Sequence, residues 1–451
     1  MTFARPLFIA VSFSLLLAAV APRLGPGPHA AIQAAPAQPA PASASTQPAP
    51  AEPPSQAYNL PPDKLAKAIA LGRIRNVMDI VGSLWGLAVL LLLLVLHGAS
   101  GLESWAHRLS SRRWVQGLIF FAAFLIVTTV ANLPLDLYGH HVSRSYGISV
   151  QGWGSWFGDQ AKSLGLTLVF LTPVLLLFNW IVRRWPRRYW LGAWVITLPL
   201  LVLVIFVQPL LSPIFDKFEP LAKNNAALVT DLEKVVARTG TNIPPDRMFL
   251  MKASVKTNGL NAYVTGIGAT KRIVVWDTTA GRIPNDEVLF IFGHESGHYV
   301  LNHIPKILCG FAFALFFVYW ACAGLAGWMV RRFGPVWHAE DLSGRTGFLI
   351  LVFTFSLAAF VLEPASNTFS RHFEHQADVY GQEAIHGIVA DPQKTSVAAF
   401  NALGEAWLED PNPSPFIEFW EFNHPSVQTR ANFALHYDPW ANGGHGEFFD
   451  K

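Results

Sequence analysis

Six apolar runs, each long enough to cross a lipid bilayer, constrain this chain more than any other feature. They lie near residues 77–97, 115–135, 163–182, 191–211, 307–330 and 347–363. A helix that spans the hydrocarbon needs about 20 apolar residues, and it satisfies all its backbone hydrogen bonds internally. Charged residues make up only 14% of the chain and the mean hydropathy is +0.33, which excludes an ordinary soluble domain. The sequence therefore predicts a mainly α, polytopic membrane helical bundle.

The first 56 residues differ from the rest of the chain. A seventh apolar run covers residues 5–22, and Ala19-Val20-Ala21 is similar to a signal-peptide cleavage site. Residues 1–32 are therefore a signal peptide or a retained N-terminal anchor, and the sequence leaves both open. Residues 33–56 form a Pro/Ala-rich tract typical of a disordered linker.

The pentapeptide His-Glu-Ser-Gly-His at residues 294–298 carries the strongest chemical signal. On a helix, His294 and His298 lie one turn apart on the same face, with Glu295 beside them. Imidazole suits Zn²⁺, and a catalytic zinc takes three protein ligands and keeps a fourth position for water. Glu295 is then placed as the general base. The alternative, for the pentapeptide alone, is a polar helix end with two solvated histidines.

The third ligand must come from elsewhere in the chain. A metzincin would have His at position 304, whereas this chain has His303, one place out of register. A better candidate lies on one helical stripe of polar residues, Asn367, Arg371, Glu374 and Asp378. Glu374 would complete a His, His, Glu set, Asp378 would accept a hydrogen bond from a ligating histidine, and Arg371 would pair with Asp378 or face the substrate. The alternative is a surface helix with an Arg371–Glu374 salt bridge.

In combination these motifs resemble the integral-membrane zinc endopeptidases of the type I CAAX prenyl protease family. The resemblance rests on residues 294–303 and on the run Ser370 to Asp378, and it extends from about residue 57 to about residue 435. Two further segments fit it, Asn261-Ala262-Tyr263 with residues 271–278 upstream and His424-Pro425 with Arg430 downstream. Ser296 departs from the pattern, because the family usually has a larger apolar residue there.

The resemblance implies a set of roles for individual residues. It implies one Zn²⁺ per chain on His294, His298 and Glu374, with Glu295 as the base. His424 would stabilise the oxyanion or contact substrate. Supporting positions behind the ligands are Asp378, Asn367 and Arg371, and substrate-binding positions are Asn261, Ala262 and Arg430. An edge strand near Asn261 would pair with the backbone of an extended substrate.

These assignments divide the remaining chain into four parts. Residues 57–211 form an N-terminal transmembrane region, 212–306 a catalytic segment with the pentapeptide, 307–363 two transmembrane helices, and 364–451 a second catalytic segment and C-terminal tail. Residues 221–240 are typical of an amphipathic helix and residues 272–276 of a strand. The prediction is a small α/β, gluzincin-like unit within six or seven helices that enclose a chamber, with a loose tail after Trp440.

Arginines in the short loops predict the orientation. They are concentrated in loops 98–114, 183–190 and 331–346, which all lie on one side of the predicted bundle. The opposite loop, 136–162, has only Arg144 and Lys162, so the positive-inside rule places the arginine-rich loops in the cytoplasm. Arg73 and Arg75, which precede the run at 77–97, weakly favour the opposite orientation. The catalytic segments would then face the periplasm of a bacterial inner membrane.

Three classes of function are compatible with these patterns. The first is a zinc endopeptidase acting on peptides or membrane-protein segments, in the processing and quality control of membrane or exported proteins. The second is a site-2-type intramembrane protease, which the acidic residues next to the motif disfavour. The third is a non-enzymatic chaperone or scaffold with a structural zinc, which would need a fourth ligand. The expected partners are peptide substrates and the lipid bilayer, and no footprint of nucleic-acid binding is visible in a net charge of +3.

Overall fold

The computed structural model describes residues 57–266 and 268–449. The apolar run at 5–22 and the Pro/Ala-rich tract at 33–56 lie outside the described residues. Six helices in the described ranges are long and apolar enough to cross a membrane. They are α1 (Pro62–Val95), α3 (Arg113–Ser145), α4 (Trp153–Arg184), α5 (Tyr189–Leu211), α10 (His303–Trp337) and α11 (Arg345–Ile385). All six predicted spans are confirmed as helices; each helix begins before its apolar run, and α1 ends at Val95, two residues before the end of its run.

The outer surface of these helices is apolar, as a lipid environment requires. Leu210 is 75% exposed, Phe313 70% and Val169 65%. Such a surface is unstable in water but matches hydrocarbon. The inward faces meet in a core in which Phe121 and Phe348 pack edge to face at 5.1 Å between ring centroids. A short helix, α2 (Gly98–Leu109), joins α1 to α3 and packs against both.

A small α/β unit separates the first four of these spans from the last two. Its strands are β1 (Phe218–Pro220), β2 (Met248–Met251), β3 (Ala262–Thr265) and β4 (Arg272–Trp276), arranged in the order β1-β2-β4-β3. β2 and β4 are parallel and the other two pairs are antiparallel. The predicted strand at 272–276 is confirmed, and β3 lies at an edge of the sheet with one neighbour.

The helices of this unit are α6 (Leu221–Asn224), α7 (Ala226–Thr239), α8 (Asp277–Ala280) and α9 (Asn285–Val300). The single helix expected over 221–240 is broken at Asn225, whose side chain accepts from the amide of Leu228 and caps α7. α9 begins directly after Pro284, with Asp286 in its first turn, where a negative charge is favourable.

The C-terminal segment folds back onto the long helix α11. It contains α12 (Pro392–Trp407), α13 (Pro415–Glu421) and α14 (Val427–His436). The expected loose tail is instead packed against this segment. Trp440 stacks on His386 at 3.6 Å, and the amides of Glu447 and Phe448 donate to the buried carboxylate of Glu383 at 2.6 and 2.7 Å. A sequence rich in glycine is ordered here because a buried acceptor satisfies its backbone.

Candidate active site

The pentapeptide lies in the last two turns of α9, where its two histidines converge. The Nε2 atoms of His294 and His298 are 3.3 Å apart. Glu374, on α11, faces them: its Oε2 lies 3.4 Å from His294 Nε2 and its Oε1 3.6 Å from His298 Nε2. Ligand atoms of the three residues all lie within 4.8 Å of one another. The spacing that predicted this ligand set in sequence therefore brings the set together in space.

These three side chains fit a zinc ion. The Oε2 atom of Glu374 is buried, and although His294 Nε2 at 3.4 Å and His424 Nε2 at 3.1 Å lie near it, neither forms a well-aligned hydrogen bond with it. A buried carboxylate oxygen that is poorly satisfied is costly, and a cation coordinated by it removes that cost. Two imidazoles and one carboxylate are also the donors of an open, catalytic zinc site rather than of a closed structural one.

Glycine allows α9 and α11 to approach closely enough for this convergence. A Cβ atom added at Gly381 of α11 would lie 2.8 Å from the backbone N of His294 and 3.0 Å from its Cα. Gly293 faces the same contact, where an added Cβ would lie 3.0 Å from the carbonyl O of Gly381. The backbones touch at the point where the ligands of the two helices meet.

Asp378 supports His294 from behind. Its Oδ1 accepts a hydrogen bond from His294 Nδ1 at 2.8 Å, which leaves Nε2 free to bind a metal. Arg430 of α14 then donates from Nε to Asp378 Oδ2 at 2.9 Å and from Nη2 to Oδ1. Arg430 is only 5% exposed and lies behind the ligands with Asp378, whereas the resemblance implied a substrate-binding position. The Arg371–Asp378 pair does not form, because Arg430 occupies that place.

Glu295 lies on the other side of the ligands, towards the sheet. Burial raises the pKa of its carboxyl to about 7, which His294 opposes and Glu374 reinforces. The backbone of Val264, on β3, donates a hydrogen bond to the same carboxylate. Tyr299, one turn further along α9, donates to the carbonyl of Gly266 at 3.1 Å. The edge strand is thus held beside the candidate base.

Asn261 and Ala262 stand at the start of β3. The amide of Asn261 donates to Thr279 Oγ1 at 2.8 Å, and its carbonyl accepts from the same hydroxyl at 2.8 Å. Ala262 pairs with Val275 of β4 and its side chain is buried. The backbone of Asn261 and the buried Ala262 therefore fix the start of the edge strand, and the substrate-binding role of both residues stays a prediction.

His424 reaches the site from the loop between α13 and α14. Its Nε2 lies 3.1 Å from Glu374 Oε2, and its Nδ1 lies 2.8 Å from the side-chain oxygen of Asn423. Burial lowers the pKa of His424 to about 4, against the opposing charge of Glu374, so the ring is neutral at pH 7. The sequence alone offered no reason to place this residue here; the resemblance did.

Asn367 and Arg371 act on this loop and not on the ligands. Asn367 Nδ2 donates to the carbonyl of Trp420, and Arg371 Nη1 donates to the carbonyls of Glu418 and Phe422 at 2.9 and 2.5 Å. These three hydrogen bonds attach α13 and the following loop to α11. Of the four polar residues on the predicted stripe, Glu374 is therefore a candidate ligand, Asp378 supports His294, and the other two hold the segment that carries His424.

One residue of the site was missed in the sequence. His303, at the start of α10, is fully buried, and its Nδ1 lies 3.1 Å from His298 Nδ1. A hydrogen bond there directs the other nitrogen of His298 towards the ligand cluster. The signal in the sequence was His303 itself, which lies one place out of register with a metzincin ligand. Asn302 has a left-handed conformation at φ 56°, which ends the helix and turns His303 towards His298.

Comparison with known proteins matches two family models to the chain. One describes the CAAX prenyl protease N-terminal region with five membrane helices and matches residues 45–217. The other describes peptidase family M48 and matches residues 222–438, which include every candidate ligand.

Several curated proteins are similar over most of their length. The Bacillus subtilis metalloprotease YhfN is 33% identical over 376 residues, which cover 83% of this chain and 86% of that protein. CAAX prenyl protease 1 of Saccharomyces cerevisiae is 25% identical, covering 80% and 79%. The crystal structure of S. mikatae Ste24p has a TM-score of 0.71 at 23% identity, covering 83% of this chain and 89% of that one, which shows the same fold.

Proposed function

This chain belongs to peptidase family M48 and is a membrane zinc metalloendopeptidase, and on that premise we propose how its residues divide the work of peptide hydrolysis. His294, His298 and Glu374 would hold the zinc, and the convergence of their ligand atoms within 4.8 Å of one another is the observation that carries this assignment. Zinc bound there would supply a Lewis acid that polarises the scissile carbonyl and acidifies water.

Glu295 is the general base in this proposal. A base works best when its pKa lies near the working pH, and burial moves the pKa of this carboxyl towards neutrality. Glu295 takes a proton from the attacking water and returns it to the leaving nitrogen. The donor on its other side, the backbone of Val264, keeps the carboxylate aimed at one place.

The edge strand β3 positions the substrate. An extended peptide would add to the free edge of β3 and make main-chain hydrogen bonds along Ala262–Thr265. This recognition tolerates many sequences, because Ala262 and Val264 point into the core and leave the backbone to make the contacts. His424 would face the carbonyl oxygen on which negative charge develops with its Nε2, and it donates there once the ring is protonated, because Nδ1 already faces the acceptor oxygen of Asn423.

The site would lie on the side of the membrane opposite the arginine-rich loops. Glu374 follows Arg345 by 29 positions on the single helix α11, about 44 Å at 1.5 Å per residue. That length is close to the full thickness of a bilayer with its headgroups. With the arginines in the cytoplasm, we place the catalytic unit in the periplasm of a bacterial host, and assign it membrane or exported proteins as substrates. Cytoplasmic prenylated tails would not reach it there.

Zinc content and cleavage of a quenched fluorogenic peptide test the division of roles. Purified wild type is compared with Glu295→Gln, and the exposed Glu233→Gln on α7 is the matched control. We expect about one zinc per chain in all three proteins, with cleavage lost only in Glu295→Gln. Full cleavage by Glu295→Gln would contradict the assignment of the base, and wild type that is folded but binds no zinc would contradict the ligand set.

A further inference from the structure

A second polar site lies at the opposite end of α11, far from the zinc ligands. It is a cavity of about 190 Å³ between α2, α3, α4 and α11. Its charged and polar walls are formed by Arg113, Arg183, Arg345, Glu103, His107 and Gln116. The three arginines and one glutamate carry a net charge of +2, with His107 left uncounted.

Arg345 forms the buried floor of this cavity. It is 7% exposed, and its Nη1 donates to Asn179 Oδ1 at 2.7 Å. The guanidinium also lies 5.2 Å from the ring centroid of Phe121. A guanidinium has five N–H donors, and the rest of this group finds no acceptor among the described residues. The buried floor therefore offers donors that the protein does not use.

The glycine at position 117 makes room for this floor. A Cβ atom at Gly117 would lie 2.9 Å from Arg345 Nη2 and 2.5 Å from a methyl carbon of Leu176. Any larger residue at position 117 of α3 would displace the guanidinium or the side chain of Leu176. The position of Arg345 is thus built into the packing of α3 against α11.

None of the three arginines forms an ion pair with a carboxylate within the described ranges of the chain. Glu103 instead approaches His107, at 3.9 Å. Arg113 and Arg345 are moreover the first residues of α3 and α11, where the helix dipole disfavours a cation and favours an anion. Asn179 and the ring of Phe121 stabilise the guanidinium of Arg345 without neutralising its charge, and an anion bound in the cavity would do so.

The tryptophans beside the cavity indicate that it lies at the level of the lipid headgroups. Trp105 on α2 and Trp114 on α3 are 44% and 64% exposed, and aromatic side chains of this kind mark the membrane interface. We propose that this cavity binds a phosphate group, with Arg345 beneath it and Arg113 and Arg183 at the rim. The phosphate belongs to an anionic lipid headgroup or to a soluble phosphate, and the two sources share the same donors.

Lipid retention and phosphate titration of the full-length protein test this site. Native mass spectrometry would count phosphatidylglycerol retained over phosphatidylcholine, and inorganic phosphate would be titrated against thermal unfolding in neutral detergent. The rim variant Arg113→Gln/Arg183→Gln changes only exposed side chains, so it keeps the fold; the variant Arg345→Gln removes the floor. The matched control is Arg187→Gln/Arg188→Gln, two exposed arginines near the same loop but outside the cavity.

We expect anion binding to weaken about fivefold for each rim arginine removed, the change that corresponds to about 1 kcal/mol per charge. Preference for phosphatidylglycerol without an effect of inorganic phosphate identifies a lipid headgroup, and the reverse identifies a soluble phosphate. Equal losses in the rim variant and the control would overturn the proposal, and so would wild type that binds neither probe. Peptide cleavage by each variant reports that the protein is folded and does not depend on this site.

Discussion

Replacement of Asp378, alone and together with Arg430, distinguishes its contribution to zinc affinity from its contribution to folding stability. Its two oxygens bind His294 Nδ1 at 2.8 Å and Arg430 Nε at 2.9 Å, and Asp378 is 2% exposed. The change Asp378→Asn keeps the shape and removes the charge. Two losses follow, one in the orientation of a zinc ligand and one in the neutralisation of a buried guanidinium.

The two losses have different sizes. A carboxylate behind a ligating histidine is worth about 10- to 100-fold in metal affinity, or about 1.4 to 2.7 kcal/mol. Breaking a buried ion pair from one side costs about 3 to 5 kcal/mol of folding free energy, because the remaining charge has no partner. Asp378→Asn should therefore lower both the zinc affinity and the folding free energy by these amounts. The double variant Asp378→Asn/Arg430→Met should recover most of the folding free energy and none of the zinc affinity.

Zinc affinity is measured by competition with a chelator, and stability by unfolding of the metal-free protein in detergent. The exposed Asp246→Asn is the control and should change neither quantity. Wild-type zinc affinity in Asp378→Asn would refute the role of this carboxylate in orienting His294. A double variant no more stable than the single one would refute the claim that the unpaired Arg430 causes the loss.

Three further changes test other parts of the site. Gly381→Ala places a methyl group against the backbone of His294 and should cost about 1 to 3 kcal/mol of stability, seen as a lower melting temperature; an unchanged melting temperature would contradict the close approach of the helices. His303→Ala should lower zinc affinity about 10- to 100-fold by releasing His298, with partial rescue by His303→Gln; chelator competition decides. His424→Ala should lower kcat about 100- to 1,000-fold and leave zinc bound, whereas loss of zinc would make His424 a ligand.

Local sequence patterns were enough to predict those features of the structure that depend on a single segment of the chain. Six apolar runs became six helices, and the i,i+4 spacing of His294 and His298 placed both rings on one face of α9. Glu374 was found because its helical stripe is also a local pattern. The same reasoning could not assign Arg430, because its partner Asp378 lies 52 positions away and only the fold joins them.

The apolar runs by themselves determined that this protein is a helical membrane protein, and the pentapeptide, together with the stripe that carries Glu374, predicted the chemistry of its candidate metal site. Both follow from short-range rules: backbone hydrogen bonds close within a helix, and side chains repeat along its face. Only the tertiary structure decided which groups support that site. The left-handed Asn302 turns His303 towards His298. Arg430, and not Arg371, pairs with Asp378. Gly381 allows α11 to pack closely against α9. These are contacts between distant segments, and their geometry depends on how whole helices pack.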